Sequence, residues 1–288
     1  MSLKHEFLSR LRKLRIKSEL KRTGTHKGIR RSYRFGSSLE FSDFRTYQPG
    51  DDIRQIDWNV YSRTKRHYIK RHLDEQEIKV AIYLDCTSSM RASASKWKLA
   101  KEIAASFSFV CLENEDRLVF NPISSSPLRG AERKGSNYSK SVVYEIMNLS
   151  VTDKTTSFVN ELDKSIQKGR QVTIIITDGM ESPSTFEQVL RKIAFMKTQI
   201  YFIQVLSNEE LSPSFKGDAK LVDSEQDLEI NISLDPKLLL AYQQRLIKHN
   251  AELEKACTRV GGLYVLVKDD LPVEGIILKD FVSYGILQ

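Results

Sequence analysis

No apolar run in these 288 residues approaches the roughly 20 needed to cross a bilayer. The longest candidates, residues 172–176 and 200–206, have the length of strands, so no membrane span is expected. The N-terminus lacks the apolar core of a secretory signal, because Lys4, Arg10, Arg12, Lys13 and Arg15 interrupt it. Cysteine is scarce. Cys86, Cys111 and Cys257 are widely spaced and form no CxxC pair, which argues against a zinc ribbon or a disulfide framework. They read as small buried hydrophobes in a reducing compartment, and the expected location is the cytoplasm. Internal repeats and low-complexity segments are also missing. What remains is ordinary for a globular protein with a sizeable core: 40% hydrophobic and 28% charged residues.

The charge is unevenly spread. Residues 1–72 carry 19 Lys and Arg against 7 Asp and Glu, a net of +12, which out of a total of +8 leaves the remainder at −4. Such a basic stretch can meet nucleic acid, an anionic membrane or an acidic protein. It carries no nucleic-acid recognition motif, so a solvated or docked basic face is the expectation, with nucleic-acid binding kept as an alternative. The spacing of Leu3, Phe7, Leu11 and Leu14 predicts an amphipathic helix within residues 3–20 that packs on the main body. Residues 21–38, rich in Gly, Arg and Ser, read as an irregular exposed loop. From Glu40 to Trp58, acids alternate with Arg45 and Arg54 around a Pro49-Gly50 turn. This is expected to be a packed turn pinned by charge pairs rather than a catalytic carboxylate cluster. His67 and His72 are five apart and face opposite sides of an expected strand, which argues against paired metal ligation.

From residue 77 onward, strand-like and helix-like segments alternate. The predicted architecture is α/β, a doubly wound and mostly parallel sheet with helices on both faces, preceded by a basic N-terminal extension over residues 1–76. Strands are expected at residues 79–85, 116–121, 171–176, 199–206 and 263–267. Ser184-Thr-Phe-Glu187 reads as a capping box, followed by Phe186, Leu190, Ile193 and Met196 on one helical face. Asp235-Pro236 reads as the opening of a long helix ending at Gly261-Gly262.

The stretch that organises the chain is Lys79-Val-Ala-Ile-Tyr-Leu-Asp-Cys-Thr-Ser-Ser-Met90. A buried parallel strand ends at Asp85, hydroxyl residues Thr87, Ser88 and Ser89 follow, and a helix begins. A second buried strand ends in Thr177-Asp178-Gly179. Between them lies a loop with Thr155 and Thr156. In open α/β sheets the carboxyl edge is where ligands bind. Asp85, Thr87, Ser89, Thr156 and Asp178 offer two anionic and three neutral oxygens there, a hard set suited to magnesium rather than zinc. The simpler reading is that Asp85 and Asp178 cap helices and pin loops.

Asp85-Cys-Thr-Ser-Ser89, the threonine loop and Thr177-Asp-Gly179 resemble the metal-ion-dependent adhesion site of von Willebrand factor A domains. Upstream, Glu40-Phe41 and Tyr47-x-Pro49-Gly50-Asp51-Asp52-x-Arg54-x-Ile56-Asp57-Trp58 are similar to the bacterial family named domain of unknown function 58, which carries such a domain. The likeness extends through Leu221-Val-Asp223 and Tyr264-Val-Leu-Val267. It implies hydroxyl ligands from Thr87, Ser89 and Thr156 or Thr155, with Asp85 and Asp178 acting directly or through water on Mg2+ or Mn2+. It also implies a non-enzymatic interaction module whose protein partner offers a carboxylate, working with a MoxR-class AAA+ ATPase in protein maturation or assembly. The competing chemistry makes Asp85 a phosphoryl-transfer nucleophile. It lacks an acid at Thr87, and no lysine is evidently placed to balance a phosphate.

Overall fold

A computed structural model describes residues 3–18, 27–124, 130–150, 157–213, 217–222, 229–234 and 236–288. The chain forms two compact units, one made of Met1–Lys21 with Lys79–Gln288 and the other of Arg22–Ile78.

The smaller unit is a hairpin of β1 (Lys27–Thr46) and β2 (Tyr68–Gln76), paired antiparallel with several register shifts. Much of the segment expected as irregular loop is therefore strand. A backbone ladder decided the conformation there, where local Gly, Arg and Ser content pointed the other way. The connection carries the expected charge-pinned turn. Arg45 grips Asp51 with both terminal nitrogens at 2.6 Å, and this holds the Asp51 carboxyl below its usual range. Gly50 sits at φ +103°, a conformation closed to most side chains. Asp52 caps the short turn Ile53–Gln55, and Asp57 caps α2 (Trp58–Thr64) through the amides of Asn59 and Val60.

The larger unit is built on a six-stranded sheet. Its strands are β3 (Lys79–Asp85), β4 (Arg117–Ile123), β5 (Glu132–Lys134), β6 (Val172–Thr177), β7 (Gln199–Leu206) and, after a separate hairpin of β8 (Gly217–Val222) and β9 (Glu229–Leu234), β10 (Leu263–Lys268). The order across the sheet is β10-β7-β6-β3-β4-β5, parallel except at β5. β3 is central, and the chain winds one way from it through β4 and the other way through β6, β7 and β10. The direction of winding thus reverses between β3 and β6, which opens a crevice at their carboxyl ends.

Helices cover both faces, as the alternation of strand and helix predicted. On one face lies α4 (Ala94–Glu113), whose Ile103, Phe107 and Val110 are fully buried. Phe107 stacks on Phe281 at 5.4 Å from the closing helical turns. Also against α4 is α1 (His5–Leu11), which buries Phe7 and Leu11. This helix is shorter than its apolar spacing promised. Beyond it the chain runs extended, with Ile16 bridged to Leu287 and the Arg15 amide bonded to the Gln288 carbonyl at 2.9 Å. The other face carries α6 (Phe158–Ser165), α7 (Pro183–Phe195) and α9 (Pro236–Arg259). Phe158, Phe186, Phe202 and Leu253 pack there against Ala81, Tyr83 and Ile175. Burying a side chain of this size contributes about 1.5–3 kcal/mol. α5 (Ser139–Met147) lies beside α4. The predicted capping box at Ser184 and Glu187 does not form. Pro183 starts α7 one residue earlier, since proline at the first position forfeits no hydrogen bond. The box is instead on α8 (Asn208–Leu211), between Ser207 and Glu210.

All three cysteines are buried and unbridged. No helix among the described residues is long and apolar enough to cross a membrane.

Candidate metal centre

Strand register sets the site. Leu84 pairs with Ile176, so Asp85 and Thr177 are the next residues out on adjacent strands. Thr177 Oγ1 donates to Asp85 Oδ2 at 2.6 Å and accepts from the Gly179 amide at 3.0 Å. The other oxygen of Asp85 accepts from the Thr87 amide at 2.9 Å and from Thr87 Oγ1 at 2.7 Å. Thr87 Oγ1 lies 3.0 Å from Ser89 Oγ. Thr87 precedes α3 (Ser88–Ala92). The hydroxyl of Ser88 is buried without a hydrogen-bond partner among the described residues. Five oxygen-bearing residues, Asp85, Thr87, Ser88, Ser89 and Thr177, thus crowd the ends of two adjacent strands.

Asp85 is 1% exposed. Burial raises its pKa above the ordinary carboxylate range, and the nearby Asp178 raises it further, outweighing the hydrogen bonds from Thr177 and Thr87. Burial and the neighbouring Asp85 likewise push the Cys86 thiol up, so that side chain is an inert core group.

Asp178, 3% exposed, closes the other side of the crevice. Its Oδ1 accepts from the Met180 amide at 3.3 Å and its Oδ2 from Lys96 Nζ at 3.2 Å. Lys96 rises from the first turn of α4, has no exposed surface, and donates also to Glu210 Oε1 at 2.6 Å. Below this layer, Gln204 Nε2 donates to the Asp178 carbonyl at 2.7 Å and to Asn250 Oδ1 at 3.1 Å, and Tyr264 donates to Gln204 Oε1. His249 Nε2 is 2.7 Å from the Gly179 carbonyl.

Of the residues singled out in the sequence, Asp85, Thr87, Ser89 and Asp178 come together at one sheet edge. Thr155 and Thr156 lie outside the described residues. Sequence reasoning placed Thr177 in the motif without giving it a role, and missed Gln204 and, above all, Lys96, although it looked for a lysine near Asp85. The signal was present: Lys96, Leu99, Ile103, Phe107 and Val110 share one helical face. A lysine in an apolar stripe must find a buried counter-charge.

The donor set fits a hard divalent cation. Among the described residues, no group of three or more His, Cys, Asp or Glu stands together to hold a metal ion, so hydroxyl oxygens would have to supply much of the coordination. Oxygens bound at about 2.1 Å around octahedral magnesium sit about 3 Å from one another. The Asp85–Thr87 and Thr87–Ser89 oxygen pairs, at 2.7 and 3.0 Å, already have that spacing. Ser89 also lines a groove of about 1310 Å³ bounded by α8, α9 and the start of α4, with Leu238, Tyr242 and Arg245 among its walls.

The sequence pattern of the family described as "Protein of unknown function DUF58" matches residues 43–252. This chain belongs to that family. It is 24% identical over 244 residues to uncharacterized protein Rv1480 of Mycobacterium tuberculosis and to uncharacterized protein Mb1516 of Mycobacterium bovis, with 82% of this chain and 76% of each relative covered. Among solved structures, it is similar to the conserved hypothetical protein BatB of Bacteroides thetaiotaomicron, with TM-score 0.42, 17% identity, and 73% of this chain and 97% of that one covered. The likeness to an aerotolerance-related membrane protein of Bacteroides fragilis gives a TM-score of 0.46 and 15% identity, over 73% and 98% of the two chains. For the SpRpn10 VWA domain the values are 0.41 and 10%, over 70% and 95%.

Proposed function

We propose that this family member is a non-enzymatic, magnesium-dependent protein-interaction module, with the carboxyl ends of β3 and β6 as its contact point. The observation that carries this reading is the convergence of Asp85, Thr87 and Ser89 oxygens, 2.7 and 3.0 Å apart, with Ser89 lining a groove. Magnesium, when bound, would supply a coordination position for an Asp or Glu carboxylate from a partner. Asp85 provides the anionic anchor, and Thr87 and Ser89 provide neutral oxygens. Thr156 is proposed as a further ligand. Leu238 and Tyr242 offer apolar surface to the residues flanking the partner's acid, and Arg245 offers a cation. Family resemblance supports a MoxR-class AAA+ ATPase as that partner, in the cytoplasm.

Phosphoryl transfer gains less from the geometry. Lys96 supplies a buried cation, but two of its N–H bonds are directed at Asp178 and Glu210.

Affinity capture from native lysate with the full chain tests the proposal. The expected outcome is a protein retained in magnesium, released by chelator and absent with Asp85→Ala. Retention indifferent to both changes would contradict it.

A further inference from the structure

Lys96 is the least expected residue of the crevice. An ammonium group withdrawn from water costs several kcal/mol unless opposite charge meets it. Here two carboxylates do, Asp178 at 3.2 Å and Glu210 at 2.6 Å. Burial alone would pull the lysine's proton affinity down, yet Asp178 and Glu210 outweigh it and hold the side chain charged. The negative charge at the end of β6 is therefore balanced from within the chain, whereas among the described residues the Asp85 oxygens at the end of β3 are met by hydroxyls and an amide and by no cation.

We propose that Lys96 is a positioning residue that neutralises Asp178 and keeps it from ligating the cation. The ion is then held by the end of β3, through Asp85, Thr87 and Ser89, together with water. This rests on the magnesium reading above and extends it to the chemistry of the partner. One anionic ligand leaves half of a divalent charge uncompensated, which favours an incoming carboxylate; two free aspartates would hold the ion more tightly but present less charge to a partner. Glu210 ties the same lysine to the groove. Its second oxygen accepts from the Ser207 amide at 2.7 Å and the Ser207 hydroxyl at 3.0 Å, and its carbonyl accepts from the Tyr242 hydroxyl at 2.8 Å. One buried ammonium thus links the strand end that flanks the ion to the wall that flanks the partner.

The test is magnesium titration by calorimetry on the full chain as wild type, Lys96→Met, the double variant Lys96→Met/Asp178→Asn, and Asp85→Asn. Freeing Asp178 in Lys96→Met is expected to tighten binding by about tenfold or more. The double variant removes the pair without changing net charge, so its affinity stays within about threefold of wild type. Asp85→Asn loses binding. If Lys96→Met does not fold, the double variant, in which only the partly exposed Glu210 loses its lysine, still decides the matter. Loss of binding in the double variant while wild type binds overturns the role of Lys96 alone, because Asp178 would then be a ligand in its own right. A folded Lys96→Met that binds no tighter does the same. Absence of binding in wild type overturns the magnesium reading and this inference with it.

Discussion

Two adjacent strands end in aspartate, and the two ends are chemically opposite. At β3, Asp85 is met by the hydroxyls of Thr87 and Thr177 and by an amide. At β6, Asp178 is met by a lysine that has no exposed surface. Both carboxylates are almost fully buried, so burial does not separate them. The counter-charge does. A buried carboxylate without a counter-ion is costly to ionise even when hydrogen-bonded and gains from an added cation, whereas one already paired gains little. Similar sequence at two strand ends therefore need not mean similar roles.

That contrast can be broken by substitution. The largest effect is expected at Lys96. Removing it leaves Asp178 buried and unpaired, so Lys96→Met should cost about 3–5 kcal/mol of stability in chelator, measured by urea unfolding. A cost below about 1 kcal/mol would mean that the two ends are alike.

Asp85→Asn should act in the opposite direction. The folded-state pKa of Asp85 is pushed up to about 7, above its unfolded value, so the folded protein holds this proton more tightly. Without metal, the stability from this group is fully present below about pH 4 and is lost as pH rises toward 7. Asp85→Asn removes that dependence and should stabilise the chelated protein at pH 8 by on the order of 2–4 kcal/mol, with no gain at pH 4. Denaturant curves at the two pH values check this. A pH-independent difference would show that Asp85 is not the strained end.

A smaller effect is expected at Gly179, beyond the β6 end. It adopts φ +66°, and an added Cβ would lie 2.7 Å from Leu253 Cδ2. Gly179→Ala should cost about 1–3 kcal/mol, while the gain in melting temperature on adding magnesium stays as in wild type. Loss of that gain would mean that the β6 end takes part in holding the ion. The smallest effect belongs to the other unit. Asp57 accepts from two amides at the start of α2, and Asp57→Ala should cost about 1 kcal/mol. It should leave magnesium binding untouched.

Much of this was legible in the chain itself. Val80 to Leu84 and Val172 to Ile176 are apolar runs with a strong strand preference, each closed by a polar tip, so the strands, their parallel pairing and the meeting of Asp85 with Asp178 followed from pattern. Lys96 was legible too, as a charge in an apolar stripe, but naming its partners required knowing that α8 folds over the sheet edge. The hairpin of β1 and β2 was hidden because its pairing is long-range and irregular, and composition reports only local preference. β8 and β9 escaped as well, although their pairing is regular and close in sequence. The capping box at Ser184 was a fair local signal that lost to Pro183, one residue earlier.

On this reading the β3 end holds a divalent cation through Asp85. Thermal melting of the full chain in magnesium against chelator tests it most directly, since a ligand that binds only the folded state raises the midpoint. A midpoint that rises with magnesium in wild type, and does not move in Asp85→Ala, is the predicted result. No rise in wild type, or an equal rise in both proteins, would contradict it.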